Sequence, residues 1–258
     1  RQKMKRGFKL QRDAKEWEND FLTQQAGESD MKFSALVELF LKDYKSRVKL
    51  SSYITRESII NKHLLPYWKE VVLGTVAMGI TYTLFYVLGT WSLSYGVKGL
   101  GFQQSEYLLL QMVSVVFFAI FIVVSCVYAD KVGRKKVLLA VTAATLVFSF
   151  FTPFLLVHSA AHILVFLCIG FVLMGGLFGP CGAYLPELFP VHVRYSGAGL
   201  SYNLAAIFGG AFAPTIAQAL VNSKFGVAGV GWYMAIMAAL ALLALFLIKE
   251  SKDKDYEL

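Results

Sequence analysis

Charged residues are scarce in this chain, and they are missing altogether from its longest apolar stretches. Asp, Glu, Lys and Arg make up 16% of the 258 residues, whereas a soluble domain usually has about 25%. Hydrophobic residues make up 57%. This balance excludes an ordinary water-soluble domain, because such a domain needs a polar surface to cover its core.

Cysteine is also scarce, and its positions form no pattern. Cys126, Cys168 and Cys181 all lie in apolar stretches and make no CxxC pair. We expect buried free thiols, and neither a disulfide framework nor a metal site. The sequence contains no arrangement that predicts a cofactor or an enzymatic activity.

The few charges are distributed unevenly. Residues 1–69 carry 15 Lys and Arg against 9 Asp and Glu, while residues 70–258 carry 10 against 8. The excess of positive charge therefore belongs to the front segment, where it suits nucleic acid or anionic lipid, or marks a solvated helical segment without such a partner. Apolar residues at helical spacing, from Phe33 to Tyr44 and again up to about Leu65, predict small soluble helices there.

Six apolar runs follow one another after Glu70. They are Val71–Val97, Tyr107–Ala129, Val137–Val157, Ile163–Tyr184, Gly197–Val221 and Val230–Ile248. Each has about the 20 residues that a helix needs to cross about 30 Å of hydrocarbon. None contains Asp, Glu, Lys or Arg, so lipid would bury no ionised side chain. The predicted fold is all-α: a polytopic membrane protein with six transmembrane helices, preceded by a small soluble helical segment.

The connections between the runs predict an orientation. Basic residues lie in alternate connections and after the last run, at Lys131, Arg134–Lys136, Arg194, Lys249, Lys252 and Lys254. The other connections carry only Lys98 and Lys224 besides two histidines. Because positive charge marks the cytoplasmic side, both ends of the bundle should be cytoplasmic, in a multi-pass protein of the cell membrane.

Small residues and prolines within the runs predict local features. The stretches Gly170-Phe-Val-Leu-Met-Gly-Gly, Gly197-Ala-Gly and Gly209-Gly-Ala permit close approach of neighbouring helices. Pro180 and Pro214 are expected to interrupt their helices, as in transporters whose broken helices line a substrate path.

Two stretches resemble the major facilitator superfamily of transporters. Asp130-Lys-Val-Gly-Arg-Lys-Lys is similar to a loop of that family, in the position between its eighth and ninth helices. The stretch from Leu185-Pro-Glu-Leu-Phe-Pro to Tyr202-Asn-Leu resembles the metabolite:proton symporter branch. The resemblance covers residues 69–258 and implies the second six-helix half of a transporter for small organic acids or osmolytes, coupled to protons. It assigns gating roles at the cytoplasmic loops to Asp130, Gly133, Arg134, Lys135, Glu187 and Arg194, with Glu187 and Arg194 as a possible pair. Gly133 should let the short loop after Asp130 turn tightly.

Polar side chains within the runs are the candidates for substrate contact. A Tyr hydroxyl or a side-chain amide that faces a cavity can hydrogen-bond a carboxylate or a hydroxyl. The candidates are Tyr82, Tyr86, Gln111, Tyr202 and Asn203. Since no run contains Asp or Glu, the resemblance alone implies proton coupling.

The front segment resembles a different family, the phage-type tyrosine recombinases (integrases). Lys5-Arg-Gly-Phe-Lys, Ala14-Lys-Glu-Trp, Met31-Lys-Phe-Ser-Ala-Leu-Val-Glu and Ile59-Ile-Asn-Lys-His-Leu-Leu-Pro-Tyr carry the likeness, which covers residues 1–67. The resemblance implies DNA binding by an arm-binding and core-binding fragment, without the catalytic domain. The basic residues that would suit DNA phosphates are Lys42, Lys45, Arg47, Lys49 and Arg56.

Three interpretations follow from the two resemblances. The chain is half of a secondary transporter, incomplete without its missing N-terminal half, in a truncated or rearranged and then non-functional fusion. Alternatively, two copies of the six-helix half pair to rebuild a transporter. In the third interpretation, the helices anchor a DNA-binding fragment to the membrane. We favour the first, because a tether needs fewer than six helices and nothing in residues 69–258 indicates a self-complementary surface.

Cysteine labelling tests the predicted orientation. In a background without the native cysteines, Lys136→Cys should be inaccessible to a membrane-impermeant maleimide in intact cells and become reactive after lysis. Ser159→Cys, in an alternate connection, should react in intact cells. The opposite pattern would refute the cytoplasmic assignment of residues 131–136.

Overall fold

The chain forms two compact units, which divide between Pro66 and Tyr67. The structure is a computed structural model, and it describes residues 33–61 and 65–248. Within those ranges every regular element is helical. The predicted fold class is therefore confirmed.

The first unit contains a hairpin of two helices, α1 (Phe33–Arg47) and α2 (Leu50–Ile59). Val37, Leu41 and Tyr53 are buried between them. The helix predicted from Phe33 is confirmed, and it continues three residues beyond Tyr44. Phe40 shares the apolar spacing of this helix, but 44% of its surface is exposed, and its ring stacks on that of Tyr44.

Six apolar stretches are long enough to cross a membrane, and they lie in the second unit apart from Leu65 and Pro66, the first two residues of the first stretch. We name them spans 1 to 6: Leu65–Lys98, Gln104–Val132, Arg134–Leu155, Ala160–Glu187, Val191–Val221 and Gly226–Leu247. Each overlaps one of the six predicted runs. The chain is thus a multi-pass membrane protein, as predicted.

Spans 1 and 5 are not continuous α-helices. Span 1 consists of a 3₁₀ turn (Leu65–Tyr67), a helix (Trp68–Tyr86), a π-helical segment (Val87–Trp91) and a short helix (Ser92–Lys98). Span 5 consists of a 3₁₀ turn (Val191–Val193), a helix (Arg194–Ala205), a π-helical segment (Ala206–Ala211) and a last helix (Ala213–Val221). Spans 2, 3, 4 and 6 are each one α-helix.

The helix interruptions predicted at Pro180 and Pro214 have different outcomes. Span 5 does restart near Pro214, which lies in the first turn of its last helix, where a missing N–H removes no helical bond. The prediction for Pro180 is wrong, because span 4 runs as one helix through it. A proline removes a single backbone hydrogen bond, and packing of Pro180 inside the bundle allows the helix to continue.

Spans 1 and 5 approach each other backbone to backbone. A Cβ atom at Gly209 would collide with the carbonyl oxygen and the Cα of Gly79. The Thr83 hydroxyl lies 2.7 Å from the Gly209 carbonyl oxygen across the interface and 3.0 Å from that of Gly79 on its own helix. Elsewhere in the interface between spans 1 and 5, the Ser201 hydroxyl lies 3.3 Å from the Val71 carbonyl oxygen. Small residues and hydroxyl groups therefore join these two spans.

Spans 2 and 4 also approach each other closely at glycine residues and share a hydroxyl hydrogen bond. A Cβ at Gly175 would lie 2.7 Å from the Phe118 carbonyl oxygen, and one at Gly179 would lie 2.6 Å from that of Ile122. Ser125 of span 2 donates to the Gly175 carbonyl oxygen at 3.1 Å. The close approach predicted at Gly175 and Gly209 is thus confirmed, whereas the prediction for Gly199 is wrong, because a Cβ there would have no neighbour within 4 Å.

The six spans form a bundle in which some spans are more buried than others. Span 4 packs on spans 2 and 3, and span 6 packs on spans 1, 3 and 5. Among the six spans, spans 2 and 5 are the least buried. Much of both helices therefore lies outside the packed interior of this unit.

A pair of alanine substitutions in span 5 tests the contact between spans 1 and 5. We expect Gly209→Ala to lower the thermal unfolding temperature in detergent by several degrees. The new methyl group meets backbone atoms that cannot rotate away, and overpacking of this kind costs about 1–3 kcal/mol.

Gly199→Ala is the matched control, since a Cβ at Gly199 has no neighbour within 4 Å. It should leave the unfolding temperature unchanged or raise it slightly, because alanine favours helix over glycine. Equal unfolding temperatures for the two variants would contradict the described packing.

Candidate gate and substrate path

A single glycine separates spans 2 and 3. Span 2 ends at Val132 and span 3 begins at Arg134. Gly133 between them has a φ of 110°, a conformation that a residue with a Cβ rarely adopts. The tight turn expected at Gly133 is confirmed, and it places the charges of both helix ends close together.

Arg134 joins the ends of three spans. Its Nη2 and Nε lie 2.9 and 3.2 Å from Oδ1 of Asp130, at the end of span 2. Its Nη1 donates to Glu187, at the end of span 4. The side chains of Arg134 and Glu187 are 30% and 27% exposed, so water only partly screens this pair. A planar guanidinium with donors on two sides can serve both carboxylates at once.

Further contacts bring the other chain segments to this same end of the bundle. Lys135 Nζ donates to the Ile248 carbonyl oxygen, directly after span 6, at 2.5 Å. The carbonyl end of a helix carries unsatisfied acceptors and a partial negative charge, so an ammonium group stabilises it. The Tyr67 hydroxyl lies 3.4 Å from Nε2 of His192, between spans 4 and 5. We call this end, with Asp130, Arg134, Lys135 and Glu187, the charged end.

Arg194 also lies near the charged end, as the first residue of the long helix of span 5. Its Nε donates to the Phe189 carbonyl oxygen at 3.5 Å. Glu187 forms its ion pair with Arg134, on a different loop. The pair of Glu187 with Arg194 stays a prediction. Lys249, Lys252 and Lys254 lie outside the described residues.

Three of the five substrate-path candidates form one cluster. Tyr82 of span 1 lies near Tyr86 of the same span and near Tyr202 of span 5. Cys181 of span 4 lies near Tyr82 and Tyr202. The three tyrosines are half-buried, whereas Cys181 is buried. The cluster thus offers phenol groups where three spans meet, and its substrate role stays a prediction.

The sequence did not identify Cys181 as a member of this cluster. Its neighbours, Gly179-Pro-Cys-Gly182, are small residues in an otherwise bulky helix, and that is a signal for close helix contact.

The other two candidates are turned toward the backbone. The Gln111 amide nitrogen donates to the carbonyl oxygens of Leu88 and Gly89, at 2.8 and 3.0 Å. These carbonyl groups belong to the π-helical segment of span 1, so Gln111 satisfies acceptors there. The Asn203 amide donates to the Gly199 carbonyl oxygen at 2.7 Å, on an exposed face of span 5. The structure therefore shows a structural role for Gln111, and substrate contact by either residue stays a prediction.

The five DNA-phosphate candidates lie on the surface of the first unit. Arg47 forms an ion pair with Asp43 on its own helix, at 2.5 Å. Arg56 lies over the Tyr44 ring, and Lys45 lies over the Tyr53 ring. Lys42 and Lys49 are exposed. The residues before Phe33 that carry part of the integrase likeness lie outside the described residues.

Metal ligands are not gathered in the described part of the chain. Residues 33–61 and 65–248 contain no group of three or more His, Cys, Asp or Glu side chains placed to hold a metal ion.

Comparison with known proteins decides the family of the six-span unit. The sequence profile of the Major Facilitator Superfamily matches residues 71–257, which is more than half of the chain. The chain belongs to this superfamily. The profile of the phage integrase N-terminal SAM-like domain matches residues 32–74, in agreement with the resemblance of the front segment.

The relatives that this superfamily member matches are transport proteins. The inner membrane metabolite transport protein YhjE of Escherichia coli is 39% identical over 216 residues, 81% of this chain and 48% of the relative. A citrate-proton symporter of Klebsiella pneumoniae is 30% identical over 188 residues, 70% and 41% of the two chains. The glycine betaine/proline/ectoine/pipecolic acid transporter OusA of Dickeya dadantii is 26% identical over 191 residues, 73% and 38% of the two chains.

The chain spans about half the length of these relatives. No solved structure matches it.

A conservative substitution tests the bridge at the charged end. Arg134→Lys keeps the positive charge but replaces the guanidinium fork by one ammonium group, which cannot hold Asp130 and Glu187 in the same geometry. We expect backbone amides of residues 130–136 to exchange hydrogen about two- to fivefold faster, as the loss of a partly exposed ion pair allows.

Lys136→Arg is the control, because Lys136 is exposed on the same loop and the change again keeps the charge. It should leave the exchange rate unchanged. Equal exchange in all three proteins would show that the bridge does not hold the loop.

Proposed function

We propose that residues 67–258 form one half of a proton-coupled secondary transporter for a small organic acid or osmolyte, and that this half acts together with a second six-span half. The exposure of spans 2 and 5 carries the proposal. Lipid alone accounts poorly for it, because span 5 exposes polar side chains at Asn203, Thr215 and Gln218. Polar groups at membrane depth normally face protein or water. A second half beside spans 2 and 5 would supply both.

The tyrosine cluster provides one wall of the substrate path in this proposal. Phenol groups of Tyr82, Tyr86 and Tyr202 offer hydrogen bonds to carboxylate or hydroxyl oxygens, and their rings attract cationic groups. The six spans carry no ionised side chain in their central parts. The group that carries the proton, and any charge that pairs with an ionic substrate, would therefore lie on the second half. The names of the relatives support both substrate classes, an organic acid and an osmolyte.

The charged end acts as the cytoplasmic gate in this proposal. Basic residues between spans 2 and 3 support a cytoplasmic position. Arg134 ties spans 2, 3 and 4 at this end, so these ends stay together as long as Asp130 and Glu187 are bound. Opening toward the cytoplasm requires that such contacts rearrange, as one half moves against the other.

A chimera with a known transporter tests the proposed function. Residues 67–258 replace the second half of the Klebsiella citrate-proton symporter, and uptake of citrate, glycine betaine and proline is measured in vesicles with an imposed pH gradient. We expect the chimera to take up at least one substrate, and we expect the chain alone to take up none. Tyr202→Phe in the chimera should reduce uptake more than Tyr195→Phe, since Tyr195 is 93% exposed and outside the cluster.

Each other outcome changes the interpretation. Uptake by the chain alone would favour pairing of two identical halves. No uptake by a chimera that is inserted and stable, beside an active parent symporter, would count against the proposed transport function.

A further inference from the structure

The hairpin of the first unit contains an open cleft between α1 and α2. Glu38, Lys42 and Lys45 line it from α1, and Tyr53, Glu57 and Asn61 line it from α2 and the residues after it. Its floor is apolar, with Val37, Leu41 and Leu65. The cleft therefore combines charged walls with a hydrophobic base.

The charges of the cleft are balanced rather than uniformly basic. Lys42 and Lys45 line the cleft together with two carboxylates, Glu38 and Glu57. Tyr53 donates to Oε1 of Glu57 at 2.8 Å, and this hydrogen bond raises the pKa of the Tyr53 phenol above its usual value. The phenol thus holds the Glu57 carboxylate in place at the cleft. A polyanion such as DNA would meet both carboxylates, so the cleft favours a ligand with one negative and one positive group.

The α2 wall continues into an exposed apolar surface. Leu50 and Ile54 precede Glu57 and Asn61 at four- and three-residue intervals, which places all four on one face of the helix. Leu50 is 65% exposed and Ile54 is 54% exposed. A helical surface with exposed aliphatic groups beside polar residues is typical of segments that lie in the membrane interface.

The chain connects this cleft directly to the membrane. Leu65 lines the cleft and is also the first residue of span 1. Only two residues, Pro66 and Tyr67, separate Leu65 from Trp68, where the long helix of span 1 begins, so the chain reaches at most about 10 Å between them. The hairpin is thus joined covalently to a membrane span, so lipid headgroups are available to it at high local concentration.

We propose that the α1–α2 hairpin docks on the bilayer surface and holds a phosphoethanolamine headgroup in this cleft. Lys42 and Lys45 bind the phosphate, and Glu38 and Glu57 accept hydrogen bonds from the primary ammonium group. Leu50 and Ile54 enter the boundary between headgroups and acyl chains. Phosphatidylcholine fits less well, because its quaternary ammonium has no N–H to donate to a carboxylate.

Hydrogen exchange of the full chain in nanodiscs tests this proposal. Amide exchange of residues 37–57 is measured in discs of phosphatidylcholine and in discs that also contain phosphatidylethanolamine or phosphatidylglycerol. We expect phosphatidylethanolamine to slow exchange about fivefold relative to phosphatidylcholine, the size that two partly exposed ion pairs provide. Lys42→Gln with Lys45→Gln should abolish this difference.

Two further double variants separate the cleft from a general effect of charge. Arg47→Gln with Lys49→Gln removes the same charge outside the cleft and should keep the protection by phosphatidylethanolamine. Glu38→Gln with Glu57→Gln should reverse the preference, so that phosphatidylglycerol protects more. Since each comparison is a ratio between lipids, a hairpin that is merely destabilised would exchange faster in every disc.

Three results would overturn the proposal. Equal loss of protection in the Lys42/Lys45 and Arg47/Lys49 variants would indicate nonspecific attraction to charge. Stronger protection of the unaltered chain by phosphatidylglycerol would indicate an anionic-lipid surface without headgroup selection. Protection by duplex DNA added to phosphatidylcholine discs, beyond that given by phosphatidylethanolamine, would identify the hairpin as a DNA-binding element.

Discussion

The free energy needed to remove an ionised side chain from water determines where this chain can place its chemistry. At the centre of a bilayer that free energy is about 3 kcal/mol or more for each charge. Charges accordingly lie at the ends of the spans, where Asp130, Arg134 and Glu187 bind one another. In the described spans, the polar groups of the interior are uncharged, and they include hydroxyl, amide, phenol and thiol groups. A wall of this kind can orient a substrate, but it cannot by itself neutralise an ion.

Because the core of a bilayer contains no water, every carbonyl group in the interior must find a hydrogen-bond donor within the protein. The π-helical segments free acceptors, and side chains from neighbouring helices approach them: Gln111 at Leu88 and Gly89, and Thr83 at Gly209. Glycine makes these contacts possible because it lets the helices approach. The irregular parts of spans 1 and 5 are thus held by specific hydrogen bonds and border the tyrosine cluster, so irregular backbone and candidate substrate contacts occur together.

Sequence patterns predicted the parts of the structure that depend on composition and local geometry. The six spans follow from apolar length, and the turn at Gly133 follows from one flexible residue between two helices. Patterns did not predict that Glu187 binds Arg134, because alternation of the spans places both at one end without saying which ends are neighbours. The role of Gln111 was missed for a similar reason, since it depends on a π-helical segment in another span. The helix interruption predicted at Pro180 was wrong, because the effect of a proline on a helix depends on how the surrounding helices pack.

The π-helical segment of span 5 also affects how this chain is compared with others. Successive side chains of an α-helix are rotated by about 100° around the helix axis. A π-helical turn contains one extra residue, so the side chains after it are shifted by one position relative to a regular helix. Side chains after Ala211 therefore take the directions that their predecessors would take in an uninterrupted helix. Thr215, for instance, takes the direction that position 214 would otherwise have. An ungapped alignment with a relative whose helix is regular would thus pair side chains that point to different neighbours, and a one-residue gap near Ala206–Ala211 would restore the correspondence.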